Sequence, residues 1–92
     1  MGIIVRRTIV RTVRNLVMLK RPASPLKILG ARIREGRKTF GWSQEAFAHN
    51  CGLDRSYIGG VERGERNVTF LTLCQIARTL KQDLGELGAG LP

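Results

Sequence analysis

Four residues of the kind that cap helices, Ser24, Ser43, Asp54 and Thr69, each stand directly before a segment whose apolar residues recur at helical spacing. This punctuation cuts the chain into short helices and leaves no room for a long one. No stretch within residues 26–87 shows the strict alternation of a half-buried strand. The fold class it predicts is all-α, a compact five-helix domain followed by a short tail over residues 88–92 and preceded by an extension over residues 1–25.

Each segment carries its own start and stop signals. After Pro22-Ala23-Ser24-Pro25, Ser24 caps a helix from Leu26 to about Lys38, and Pro25 suits its first turn, where no intrahelical N–H is needed. Leu26, Leu29, Ile33 and Gly36/Arg37 trace its inner side, with Arg32, Arg34 and Lys38 largely outside; Gly41 fits a left-handed stop. Ser43 caps Gln44 to about Asn50, with Ala46 where a capping box would place Glu or Gln, and Glu45 beside the positive end of the helix dipole. Trp42 and Phe47 have the spacing of a hydrophobic staple. Asp54 caps Arg55 to about Arg63, with Ile58 and Val61 inward. Gly59-Gly60 in its middle costs about 1 kcal/mol per glycine relative to alanine, and that cost calls either for a close approach to a backbone or for a poorly specified helix. Thr69 caps Phe70 to about Leu80, where Phe70, Leu73, Ile76, Ala77 and Leu80 form one stripe; Leu84 and Leu87 supply a fifth, short helical turn.

Charge narrows the partner. The 92 residues allow one domain with a small core. Sixteen Lys and Arg against seven Asp and Glu give +9, with an isoelectric point near 11.1, so a polyanion is the first partner to consider. Basicity by itself does not separate DNA from RNA or from an acidic membrane surface. The excess is uneven: Arg6, Arg7, Arg11, Arg14, Lys20 and Arg21 lie in residues 1–25 without one acidic residue. Ile9, Val10, Val13, Leu16 and Val17 give that extension an amphipathic character, as a helix or a strand. Three readings stay open for it: a DNA-contacting arm, a dimerisation or packing element, or a tail ahead of a true start at Met18. Its arginines interrupt any signal-peptide core, and no apolar run is long enough for a membrane span, so a cytoplasmic protein is expected.

Catalysis and metal binding find little to work with. Cys51 and Cys74 lack zinc-ligand spacing, and His49 adds only one further ligand; two buried thiols in a reducing compartment are expected. His49 has no nucleophile and acid in a recognisable arrangement, and Glu35, Glu45 and Glu65 read as charged surface. With no phosphate loop or EF-hand signature either, no catalytic residue, metal or cofactor is assigned, and the chain is not expected to be an enzyme.

The second and third segments are joined by a few residues around Gly52, which is the pattern of a helix-turn-helix, one helix bracing another that enters the major groove. Residues 26–87 resemble the phage-repressor or Cro-like class of bacterial helix-turn-helix domains. The resemblance runs through Leu29-Gly30-x-x-Ile33-Arg34, Arg37, Gly41-Trp42-Ser43-Gln44-Glu45-Ala46-Phe47-Ala48, Gly52-Leu53-x-x-x-x-Ile58, Glu62-Arg63-Gly64 and Leu73-x-x-Ile76-Ala77-x-x-Leu80. Single elements are weak; their order and spacing together are specific.

The resemblance implies a sequence-specific regulator of transcription that binds double-stranded DNA as a homodimer on a two-fold related site. Gln44 would bond a phosphate at the helix N-terminus. Arg55, Ser56 and Gly60 would face the groove: Arg55 has the fork that matches guanine, Ser56 specifies little alone, and Tyr57 would meet the backbone or a thymine methyl. Gly60 offers no side chain, so the reading surface is thin and DNA shape or bridging water would carry part of the specificity. Arg37 and Glu62 would form the cross-helix pair typical of the class, with Arg37 also approaching a phosphate; Arg63, Arg66 and Asn67 would grip the phosphate backbone. Leu84, Leu87, Leu91 and the segment Val10–Leu16 are candidate subunit contacts, unless the leucines only close the monomer core. Two other readings stand beside this one: an antitoxin or restriction–modification controller with a protein partner, and a module that binds nucleic acid without sequence preference.

Overall fold

The computed structural model describes residues 24–92; the readings attached to residues 1–23, including Val10–Leu16 and a start at Met18, lie outside the described residues. Five helices follow one another: α1 (Pro25–Thr39), α2 (Gln44–Cys51), α3 (Arg55–Glu62), α4 (Phe70–Leu80) and α5 (Leu84–Gly88). Four start as their caps dictate. Ser24 Oγ accepts from the Lys27 N–H at 3.1 Å, Ser43 Oγ from Ala46 at 3.0 Å, Asp54 Oδ2 from Ser56 at 3.2 Å and Thr69 Oγ1 from Thr72 at 3.2 Å. Asp83 stands at the same position before α5 but makes no such bond.

The helix ends fall within a residue or so of the sequence expectation. α1 begins on Pro25, which already has helical geometry, and α3 closes at Glu62, with Arg63 half inside the helix because its N–H still bonds the Gly59 carbonyl at 3.1 Å. The turn between α2 and α3 depends on Gly52 at φ 72°, which lets the Leu53 N–H reach back to the Ala48 carbonyl at 2.9 Å.

The core draws on every helix: Leu29 and Ile33 from α1, Phe47, Ala48 and Cys51 from α2, Ile58 and Val61 from α3, Ile76, Ala77 and Leu80 from α4, and Leu87 from α5. Burying a side chain of this kind contributes about 1.5–3 kcal/mol, and this outweighs the poor helix propensity of Gly30 and Gly36. Gly30 has a specific reason to be there. A Cβ on it would lie 2.4 Å from the Val61 carbonyl oxygen, so α1 and α3 cross at a separation that only glycine permits. Trp42 stacks between Phe40 (4.3 Å between ring centroids) and Phe47 (6.1 Å), which fixes the corner from α1 into α2.

Four expectations change. Phe70 is 66% exposed, because the apolar stripe of α4 extends a turn beyond the point where other helices cover it; Leu71 beside it is 79% exposed. Arg32 is half-buried, with Nη1 donating to the Leu87 carbonyl at 2.9 Å, and so ties α1 to the last turn of α5. Leu87 is 1% exposed and closes the monomer core, which removes it as a subunit contact; Leu84 packs against the same core. Of the two thiols, Cys51 is buried and Cys74 half-buried; burial pushes the Cys51 thiol pKa up, partly opposed by a hydrogen bond with Thr79. Among the described residues no helix is long and apolar enough to cross a membrane, and no group of His, Cys, Asp or Glu converges as a metal site would require.

Candidate DNA interface

The frame behind the interface is a buried polar cluster. Arg37, late in α1, donates from Nε to Glu62 Oε2 at 2.8 Å and from Nη2 to Glu62 Oε1 at 3.1 Å. Its Nη1 donates to the Trp42 carbonyl at 2.7 Å. Gln44 Nε2 donates to the same Glu62 Oε1 at 3.1 Å. The end of α1, the start of α2 and the end of α3 therefore meet on one carboxylate. The side chains of Arg37 and Glu62 are 11% and 3% exposed, and no buried side-chain polar atom among the described residues lacks a partner. A paired buried charge of this kind adds little net stability, but it fixes how the helices sit on one another.

Arg37 and Glu62 thus face each other as the sequence pattern implied, whereas the part played by Gln44 was missed. Sequence reasoning took Gln44 for an outward phosphate donor because it opens α2; only the crossing of α2 and α3 brings Glu62 within its reach. Arg37 has all three guanidinium nitrogens engaged inside the fold.

The outer side of α3 begins with Arg55 and Ser56, both exposed. Arg55 takes part in neither of the ion pairs found among the described residues, Arg37–Glu62 and Arg63–Glu65. Asp54, the neighbour that could have engaged Arg55, accepts instead from both the backbone N–H and the hydroxyl of Ser56. The Ser56 hydroxyl bond is the main reason that the Asp54 carboxyl is held below its ordinary range. It also commits the Ser56 hydroxyl proton, leaving that oxygen to act as an acceptor. Tyr57 is half-buried and packs against the core, with the Arg66 guanidinium 5.8 Å above its ring.

Gly59 and Gly60 bring no side chain of their own, but other side chains cover them. Both are buried, although they lie on a short surface helix. A Cβ on Gly59 would sit 3.1 Å from Arg63 Nη1 and 3.6 Å from Gln44 Oε1; one on Gly60 would sit 2.9 Å from Arg66 Cγ and 3.4 Å from Arg66 Nε. The two glycines make a shallow trough, and arginines from the end of α3 and the loop beyond it lie down in it. What approaches these glycines is side chain, not the backbone that their cost called for. Arg63 also meets Glu65 at 3.1 Å, but both are about 60% exposed and such a pair contributes little. Asn67 is exposed in the same loop.

A helix braced by another across a glycine turn, with basic side chains folded over its outer side, defines a DNA-binding helix-turn-helix protein. The helix-turn-helix family model HTH_3 matches residues 33–87, and the chain belongs to that family as a transcriptional regulator. It is 44% identical over 61 residues to the control protein C.SmaI of Serratia marcescens, a match covering 66% of this chain and 73% of that one. An uncharacterized HTH-type transcriptional regulator of Bacillus subtilis, YazB, is 48% identical over 61 residues, covering 66% and 88%. Among solved structures, the restriction-modification controller protein C.AhdI from Aeromonas hydrophila aligns with a TM-score of 0.65 at 48% identity, covering 67% of this chain and 94% of that one.

Proposed function

We propose that the chain is the controller of a restriction–modification operon, a homodimer that recognises a two-fold related DNA sequence near its own gene. The observation that carries this reading is the outer side of α3, where Arg55, Arg63 and Arg66 gather on a helix locked at its far end by the Arg37–Glu62–Gln44 cluster. The controller proteins C.SmaI and C.AhdI among its relatives favour an operon role over that of a general regulator. Arg55 reads a guanine in the major groove; Arg63 and Asn67 hold phosphates and set the register. The exposed pair Phe70 and Leu71 supplies the subunit contact that Leu87, spent in the core, does not. The half-site centres then lie about 34 Å apart.

Footprinting of full-length protein on the DNA upstream of its gene, beside an unrelated duplex of equal length, tests the reading. A compact two-fold footprint with two chains per site supports it. Binding of equal strength and equal salt dependence on both duplexes overturns it in favour of a module without sequence preference.

A further inference from the structure

We infer that the groove between α1 and α5 is the docking site of this chain's own basic segment, residues 9–17, turned back along α1. The inference is independent of how α3 meets DNA and concerns the other side of α1.

The groove has a volume of about 520 Å³ and follows α1. Ile28, Ala31, Glu35 and Thr39 line it at three- and four-residue spacing, so they share one face of that helix. A different face, marked by Gly30 and Arg37, meets α3. The facing wall is α5, with Glu86 and Leu87. The two walls are tied together. Arg32 Nη1 donates to the Leu87 carbonyl at 2.9 Å, and a Cβ on Gly36 would lie 2.9 Å from Gln82 Nε2, so the loop before α5 rests directly on α1. The width of the groove is thus set by the fold itself. Leu87 is buried and Ile28 half-buried at its base, while Ala31, Glu35, Thr39 and Glu86 are exposed.

An apolar floor beside two carboxylates selects a basic, apolar occupant. Glu35 and Glu86 take part in neither ion pair found among the described residues. Asp54, Glu62 and Glu65, by contrast, each have a partner within the fold. A chain of net charge +9 therefore sets two of its seven acidic side chains along one groove. Residues 1–23 supply the complement: Ile9, Val10, Val13, Leu16 and Val17 stand among Arg6, Arg7, Arg11, Arg14, Lys20 and Arg21, without an acidic residue. The point of attachment favours the same occupant. Residues 1–23 join the described chain at Ser24, the cap of α1, and Ile28 lies one turn into that helix. Residues 18–23 give the six-residue connection that a reversal along α1 needs, a length ordinary between packed elements. From Ile28 to Thr39 the groove offers about 17 Å of helix to lie against. A tether this short also holds the segment at an effective concentration on the order of millimolar. Even a weak fit is then filled by the chain's own segment ahead of another molecule's.

Amide hydrogen exchange of the full-length protein, followed by NMR, tests the docking. The amides of residues 9–17 are expected to exchange about tenfold or more slowly than their intrinsic rates, and equally so across a dilution series. Glu35→Arg and Glu86→Arg, made singly, should each remove most of that protection. Both residues are exposed, and the amides of the buried Ile33 and Ile76 report in the same spectra that the core is intact. Glu45→Arg makes the same charge change on an exposed residue of α2, outside the groove, and should leave the protection as it was. Intrinsic exchange throughout residues 9–17 overturns the inference, and so does protection that the groove substitutions leave untouched. Protection that grows with protein concentration assigns the segment to a second copy, and protection that needs an added duplex assigns it to DNA; either result overturns the docking as well.

Discussion

Glu62 sits where water hardly reaches, and each of its oxygens accepts from Arg37 while one also accepts from Gln44. Removing the carboxylate would strand the 11%-exposed Arg37 guanidinium with only the Trp42 carbonyl. Glu62→Ala is therefore expected to destabilise the fold by about 3–5 kcal/mol, seen as a lower urea midpoint. Combining it with Arg37→Met should recover most of that loss, because the second change withdraws the orphaned charge. Asp54 lies at the opposite extreme of exposure, and its carboxyl is held low chiefly by the Ser56 hydroxyl. A depressed folded-state pKa means that the stabilisation is present above the pKa of the unfolded chain and is lost as pH falls through the folded one, a window below about pH 4. An NMR titration of the Asp54 carboxyl should show this, and Ser56→Ala should return its midpoint toward the ordinary value.

Between helices, glycine decides how closely two elements approach. Gly30→Ala would add only a methyl group, and in an isolated helix it would help by about 1 kcal/mol. Here the methyl group meets the Val61 and Glu62 carbonyl oxygens, at 2.4 and 2.6 Å, and backbone cannot swing aside as a side chain can. α1 must lift off α3, and a net loss of about 1–3 kcal/mol is expected. Gly85→Ala in α5 is the matched control, since its Cβ meets nothing within 4 Å; melting curves should show the first variant below wild type and the second at or above it. The same contrast explains what could be read in advance. Ser43, Asp54 and Thr69 announced their helices because capping involves only residues two or three positions away. The order of motifs from Arg37 to Leu80 carried the helix-turn-helix for the same reason. Phe70, Gln44 and Gly60 were placed wrongly or incompletely. The exposure of Phe70 depends on where a neighbouring helix stops, and the Gln44 bond on how α2 crosses α3. The covering of Gly60 depends on a loop whose path no periodicity describes.

At the level of the whole molecule, the surface holds a feature that the core of this chain leaves uncovered. Phe70 and Leu71 stand adjacent and largely bare at the start of α4, while the leucines of α5 are turned inward. In the homodimer proposed above, replacing them together, Phe70→Glu with Leu71→Lys, should leave the melting temperature close to wild type and weaken self-association by tenfold or more, on the order of the penalty for losing a central interface side chain. Sedimentation velocity would read the change directly, and a dimer that survives the double substitution would move the subunit contact elsewhere. The column Phe40–Trp42–Phe47 has a practical consequence as well. Its central ring is the single tryptophan of the chain, and that residue's carbonyl is gripped by the arginine that also holds α3 through Glu62. The protein therefore carries its own optical gauge: the emission of one indole registers whether the clasp behind the recognition helix is shut, in an unlabelled chain.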